Sequence, residues 1–311
     1  MKNVLKLEFQ NLSMTMKLNP VIQLAFSTLI AIGLASCGTS SSDKDQNSKD
    51  FDAAEENLEK QIEDLIYNIP PPSEIPYLLQ ATGAEFNESL LNSRSKADQY
   101  SSRTDKAALN LGVYAADIGY LSSYDKTQEA IDYLGAAKNL ADGLGVIGSF
   151  DVEVLQKFEE NISNKDSLTR LLDDTMDKTQ MFLKDNNRNK LSAMVITGSF
   201  VEGLYISTGL VKTYPTDLLP TDAKNLVLTP IIRIILDQKS SVSELSKMLS
   251  AVDQTDEVTA LVTDLKALET EYASLNIEEQ IRNNNANLVL SDKNLVEITN
   301  IVERLRKGIT D

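Results

Sequence analysis

The sequence predicts an all-α fold, an irregular multi-helix bundle or helical array of about ten helices, on three observations. Apolar residues recur with a period near 3.6, not 2, from residue 51 onward. No run of alternating β-branched residues between hairpin turns competes with that period. Pro70–Pro72 and several residue pairs with cap spacing mark where periodic stretches stop and start.

The first element is "AAEENLEKQIEDLIYNI", which sets Leu58, Ile62, Leu65, Ile66 and Ile69 on one face before Pro70, Pro71 and Pro72 end it. A second helix is expected from Ser73, carrying Ile75, Leu78, Leu79, Phe86 and Leu90. Further amphipathic segments follow at 104–122, 126–145, 150–163, 166–185, 189–213, 222–238, 241–252, 256–275 and 292–308. Asp125 with Gln128, Ser163 with Asp166 and Ser241 with Glu244 have the spacing of helix caps or capping boxes. No motif recurs at a solenoid period of about 34 to 40 residues. A sub-boundary is expected near 214–221, where "YPTDLLPT" interrupts the pattern.

The last two segments have a narrower apolar pattern. Val258, Leu261, Leu265, Leu268, Tyr272 and Leu275 alternate spacings of three and four, and Leu295, Ile298, Val302, Leu305 and Ile309 repeat them. Such a/d spacing predicts an antiparallel coiled-coil-like pair, either inside one chain or as the seam of a homodimer.

Composition limits the chemistry. With 42% apolar residues, 311 residues are ample for a packed core. The formal charge of −16 would repel phosphate backbones, so no nucleic-acid partner is expected. There is no histidine, which removes the commonest general base and the commonest zinc ligand together. The single cysteine allows neither an internal disulfide nor a cysteine cluster, so no metal or cofactor is expected. An enzyme built from this chain would have to work through carboxylates, Lys, Tyr, Ser or Thr, or through a metal held by oxygen ligands.

The amino-terminal region carries its own signal. The apolar run "VIQLAFSTLIAIGL" (21–34) follows Lys17 and precedes small residues, the form of a secretory signal too short to span a bilayer comfortably. Met14 or Met16 would give an ordinary leader, whereas Met1 gives a long one containing Glu8. Leu34, Ala35, Ser36 and Cys37 resemble the lipobox of bacterial lipoproteins: an aliphatic residue, two small ones, then cysteine. The resemblance covers residues 1–37 alone. It implies removal of 1–36 as a signal peptide and acylation of Cys37, the palmitate-bearing lipid anchoring the chain to a membrane. Gly38, in place of the Asp that favours inner-membrane retention in that family, implies the outer membrane. Residues 38–50 are too polar to fold, and as a flexible tether would reach about 20 Å. The helical domain would then occupy 51–311.

One constellation in that domain stands out. In "ALNLGVYAADIGYLSSY" (108–124), Asn110, Tyr114, Asp117, Leu121 and Tyr124 fall in one stripe, opposite a face of alanine and glycine. In "LSAMVITGSFVEGLYISTGLVKT" (191–213), Met194, Gly198, Glu202, Tyr205 and Gly209 align, and Glu202 is the lone carboxylate of an otherwise apolar stretch. Glycine inside a helix costs about 1 kcal/mol relative to Ala, so these glycines point to close packing or ligand approach. Arg233, inside the isoleucines of "TPIIRIILDQ", is the expected partner of Glu202 or Asp117.

Tyr114, Asp117, Glu202, Tyr205 and Arg233 are thus expected to form a buried polar cluster or to line a pocket. The functional expectation is a lipid-anchored envelope lipoprotein acting as a non-enzymatic binding or interaction module for a protein or glycan partner. One alternative is a glycan hydrolase using Asp117 and Glu202 as its carboxylate pair. Another is a purely structural or dimerising lipoprotein.

Overall fold

The computed structural model describes residues 69–146, 152–161, 164–185, 188–214, 221–275 and 292–311. The expected first helix, the tether and the lipobox lie outside them. Eleven α-helices cover most of the described chain, joined by short turns, and no strand occurs among the described residues. They are α1 (Glu74–Ala81), α2 (Ala97–Tyr100), α3 (Thr104–Ser123), α4 (Thr127–Gly143), α5 (Val152–Glu160), α6 (Lys165–Asp185), α7 (Asn189–Thr213), α8 (Thr221–Asp237), α9 (Lys239–Ala251), α10 (Asp256–Ser274) and α11 (Lys293–Thr310). Two 3₁₀ turns, Glu88–Leu90 and Arg94–Lys96, precede α2. The all-α architecture agrees with the 3.6 period, and the helices on both sides of 214–221 contribute to one hydrophobic core.

Helices α3 and α7 form the centre and share the most extensive helix–helix interface among the described residues. Their small residues make this possible. A Cβ on Gly112 would lie 2.0 Å from the Val195 carbonyl oxygen, and one on Gly198 would lie 1.8 Å from that of Leu109. The two backbones therefore touch, and only glycine fits at the crossing. Helix α7 is long and apolar enough to cross a membrane, but 94% of its most apolar window is buried in the fold. Its hydropathy here is that of a core helix.

Around this pair, α4 and α6 pack on α3, α8 and α11 pack on α7, and α10 lies against both α9 and α11. The a/d residues of α10 and α11 (Val258, Leu261, Leu265, Leu268 and Tyr272; Leu295, Ile298, Val302, Leu305 and Ile309) are all buried within the single chain. Arg304 of α11 meets Asp264 of α10 at 2.9 Å. Glu257, at the start of α10, pairs with Arg103 at the head of α3, where the tail of α11 is also held through Asn110. The pair therefore runs antiparallel, and its seam is closed inside the monomer.

Local boundaries differ from the sequence reading at three places. The helix expected from Ser73 to Leu90 stops at Ala81, because the Thr82 hydroxyl bonds to the Leu79 carbonyl and Gly83 turns to φ +80°. Phe86 and Leu90 still reach the core, from a loop and a 3₁₀ turn. Asp125 does not cap α4: at φ 58° its N–H bonds back to the Ser122 carbonyl and closes α3. Ser241 lies inside α9 and is buried, since α8 and α9 are separated only by Gln238. Ser163 lies outside the described residues, and Asn164 takes the capping role, its Oδ1 accepting from the Ser167 N–H at 3.0 Å.

Candidate functional site

The core of α3 and α7 contains two carboxyl groups with no exposed surface. Asp117 projects from the α3 stripe and Glu202 from α7, and both are 0% exposed. Burying a charge without a partner is prohibitive, so the surrounding donors decide what this pair is.

Glu202 is met by Arg306 of α11. The Arg306 Nε donates to Glu202 Oε2 at 3.1 Å and its Nη2 to Oε1 at 3.2 Å, the two-pronged geometry in which a guanidinium matches a carboxylate. The guanidinium also lies over the Tyr205 ring, 4.4 Å from its centroid, so the same helical turn of α7 supplies both the anion and an aromatic platform. Asp117 is held differently. Its Oδ2 accepts from the Asn92 backbone N–H at 3.2 Å, while its Oδ1 has no N–H or hydroxyl donor. The Asp117 carboxyl also lies close enough to Glu202 for each to act on the other's ionisation. Two acids buried beside a single guanidinium favour one of them keeping its proton.

Electrostatics assigns that proton to Asp117. Burial pushes its carboxyl well above the usual range and the charge of Glu202 pushes it further; Arg306 and the Asn92 N–H pull it back only in part. Burial raises Glu202 as well, and Arg306 above all, with Asp117, opposes that rise only in part. Burial disfavours the charge of Arg306, yet Glu202 outweighs it and holds the guanidinium more firmly protonated than usual. Asp117 is thus the acid of the pair that favours its proton, and Glu202 the one whose charge Arg306 supports.

A second layer of polar groups seats the last turn of α11, whose carbonyls have no partners within the helix. Asn110 of α3 donates to the Ile309 carbonyl at 3.0 Å. The Tyr100 hydroxyl donates to the Thr310 carbonyl at 2.9 Å, and Lys96 reaches the same oxygen at 3.2 Å. Asn92 joins the layers, its Nδ2 lying 3.4 Å from Asn110 Oδ1. Tyr114 donates to the Ser93 carbonyl at 3.0 Å, and its ring packs edge-on against Tyr133 with centroids 5.9 Å apart. Burial raises the phenols of Tyr100, Tyr114 and Tyr133 above their usual range.

The structure thus brings together Tyr114, Asp117, Glu202 and Tyr205, but not Arg233. Arg233 is exposed on α8, because Leu228, Ile231, Ile232 and Ile235 form the inward stripe of that helix and residue 233 falls outside it. The cation of the cluster is Arg306. Its signal in the sequence was its place beside the Val302–Leu305–Ile309 stripe, one position past the seam. Asn92, in the irregular stretch before α2, and Tyr100, at the end of the four-residue α2, had no periodic signal at all.

Two clefts open elsewhere. One, of about 320 Å³, lies between the end of α7 (Val211, Lys212, Tyr214) and the start of α11 (Leu295, Val296, Thr299, Asn300). The other, of about 50 Å³, lies between Ile69–Pro72 and the facing residues of α6 and α7. Neither is lined by Asp117 or Glu202. Among the described residues no group of three Asp, Glu, His or Cys side chains is arranged to hold a metal ion. Cys37 and Leu34–Ser36 lie outside the described residues. Fold and cluster together define a class, an all-helical domain organised around a buried acid–acid–arginine cluster. No protein-family model, curated protein or solved structure matches the chain.

Proposed function

We propose that the chain is a bacterial envelope lipoprotein, anchored through acylated Cys37, whose helical body is a non-enzymatic binding or interaction module for a protein or glycan partner. The observation that carries this reading is the run Leu34-Ala35-Ser36-Cys37 at the end of an apolar segment and at the head of a polar tether. Gly38 favours the outer membrane as its address. The cluster supports a non-enzymatic body. Two carboxyls with no exposed surface, one committed to an arginine, leave a sugar ring no room and no free base, so their part in the body is architectural. The 320 Å³ cleft between α7 and α11, with Lys212, Thr299 and Asn300 beside Val211 and Leu295, offers a ligand of mixed polarity a place to sit.

The anchor is tested by feeding labelled palmitate to cells expressing the full chain. Incorporation is expected in the wild type and absent in Cys37→Ser; undiminished labelling of the variant would overturn the lipoprotein reading.

A further inference from the structure

Counting charges around α11 leads to a property beyond binding. Two carboxyl groups and one guanidinium occupy a site in which both acids are fully buried, so the site is neutral only with a proton on board. The cation comes from the most one-sided of the three helices involved. Helices α3 and α7 are buried almost all round, whereas α11 packs through one stripe (Leu295, Ile298, Ile301, Val302, Leu305, Ile309) and leaves Val296 and its polar face to solvent. Helices with such limited burial open locally at lower cost than the core they cover.

We propose that α11 is a proton-locked latch: the Asp117–Glu202 pair under Arg306 keeps one proton while α11 is docked and releases it to solvent when α11 lifts away. In the docked state the proton sits on Asp117, beside Glu202. When α11 lifts, Arg306 leaves with it, water reaches both acids, and Asp117 returns toward an ordinary carboxyl that is ionised above about pH 4. The O–H bond of Asp117 breaks, its electron pair stays on the carboxylate, and the proton goes to water. The sign follows from linkage. A group whose proton is held more tightly in the docked state favours docking at low pH, and the advantage is lost as pH rises.

The groups facing the pair do not cancel this dependence. From the connection before α3 come Tyr100 and Asn92, from α3 Tyr114 and Asn110, from α4 Tyr133, and from α7 Tyr205. Burial keeps Tyr100, Tyr114 and Tyr133 protonated as the pH rises. Lys96 and Lys106, with Asp311 just past the end of α11, stand at the rim, and Arg94 and Glu88 lie near Tyr133.

Hydrogen exchange on the folded protein, corrected for intrinsic rates, tests the latch. Between about pH 6 and about pH 8 the protection of α11 amides is expected to fall about a hundredfold in the wild type, tenfold per pH unit for one proton. It should stay flat in Asp117→Asn. Infrared spectra of the wild type near pH 8 should show a protonated carboxyl band that Asp117→Asn lacks. A flat wild-type profile, α11 protection equal to that of α3, or a missing band would each overturn the latch. The wild-type measurements decide it even if the variant fails to fold.

Discussion

Arg233 of α8 and Arg306 of α11 have opposite fates, each the reverse of what its neighbours along the chain suggest. Arg233 is flanked by isoleucines in the sequence yet points to solvent, because the inward stripe of α8 passes through Ile231, Ile232 and Ile235. Arg306 sits among polar neighbours in "VERLRKGITD" yet reaches the buried core, its side chain only 16% exposed. Apolar neighbours along the chain do not bury a charge; its angle about the helix, and what the facing helix offers there, decide. Helix α7 offers Glu202 and the Tyr205 ring on one turn, and α8 presents no counterpart to Arg233 in the core.

The comparison can be broken by truncation. Arg306→Met removes the cation and leaves the Glu202 carboxylate buried without a counter-charge, so unfolding by denaturant should show a loss of about 3 to 5 kcal/mol. A loss near zero would mean the ion pair is idle. Tyr205→Leu keeps the pair and removes only the aromatic platform, which should cost about 0.5 to 2 kcal/mol in the same assay. Arg233→Ala, at the exposed site, should move stability by no more than about 0.5 kcal/mol in either direction. A larger loss there would show that α8 uses its arginine after all.

These contrasts also mark what the sequence could reveal. Helical periodicity located α7 and the α10–α11 pair to within a residue or two, because each depends on a repeating burial pattern within one segment. Asp117 and Glu202 were visible for a related reason. An acid in a stripe bounded by alanine and glycine, or alone in an apolar helix, is anomalous on local evidence. The partner was not visible, because pairing Glu202 with Arg306 depends on how three helices cross, and a periodicity records no distance between helices. The nearer-looking isoleucine run around Arg233 was the wrong guide for the same reason. The support from Asn92 and Tyr100 lies in short elements between α1 and α3, where Tyr100 bonds to a carbonyl of α11 far away in the chain.

Whether Glu202 and Arg306 act as one structural unit is decided by a double-mutant cycle. Glu202→Leu, Arg306→Met and the pair of changes together would be compared by equilibrium unfolding near neutral pH. Each single change is expected to cost about 3 to 5 kcal/mol while the double change costs much less than their sum, since removing both charges leaves none stranded. Additive losses, with no coupling between the two positions, would contradict it.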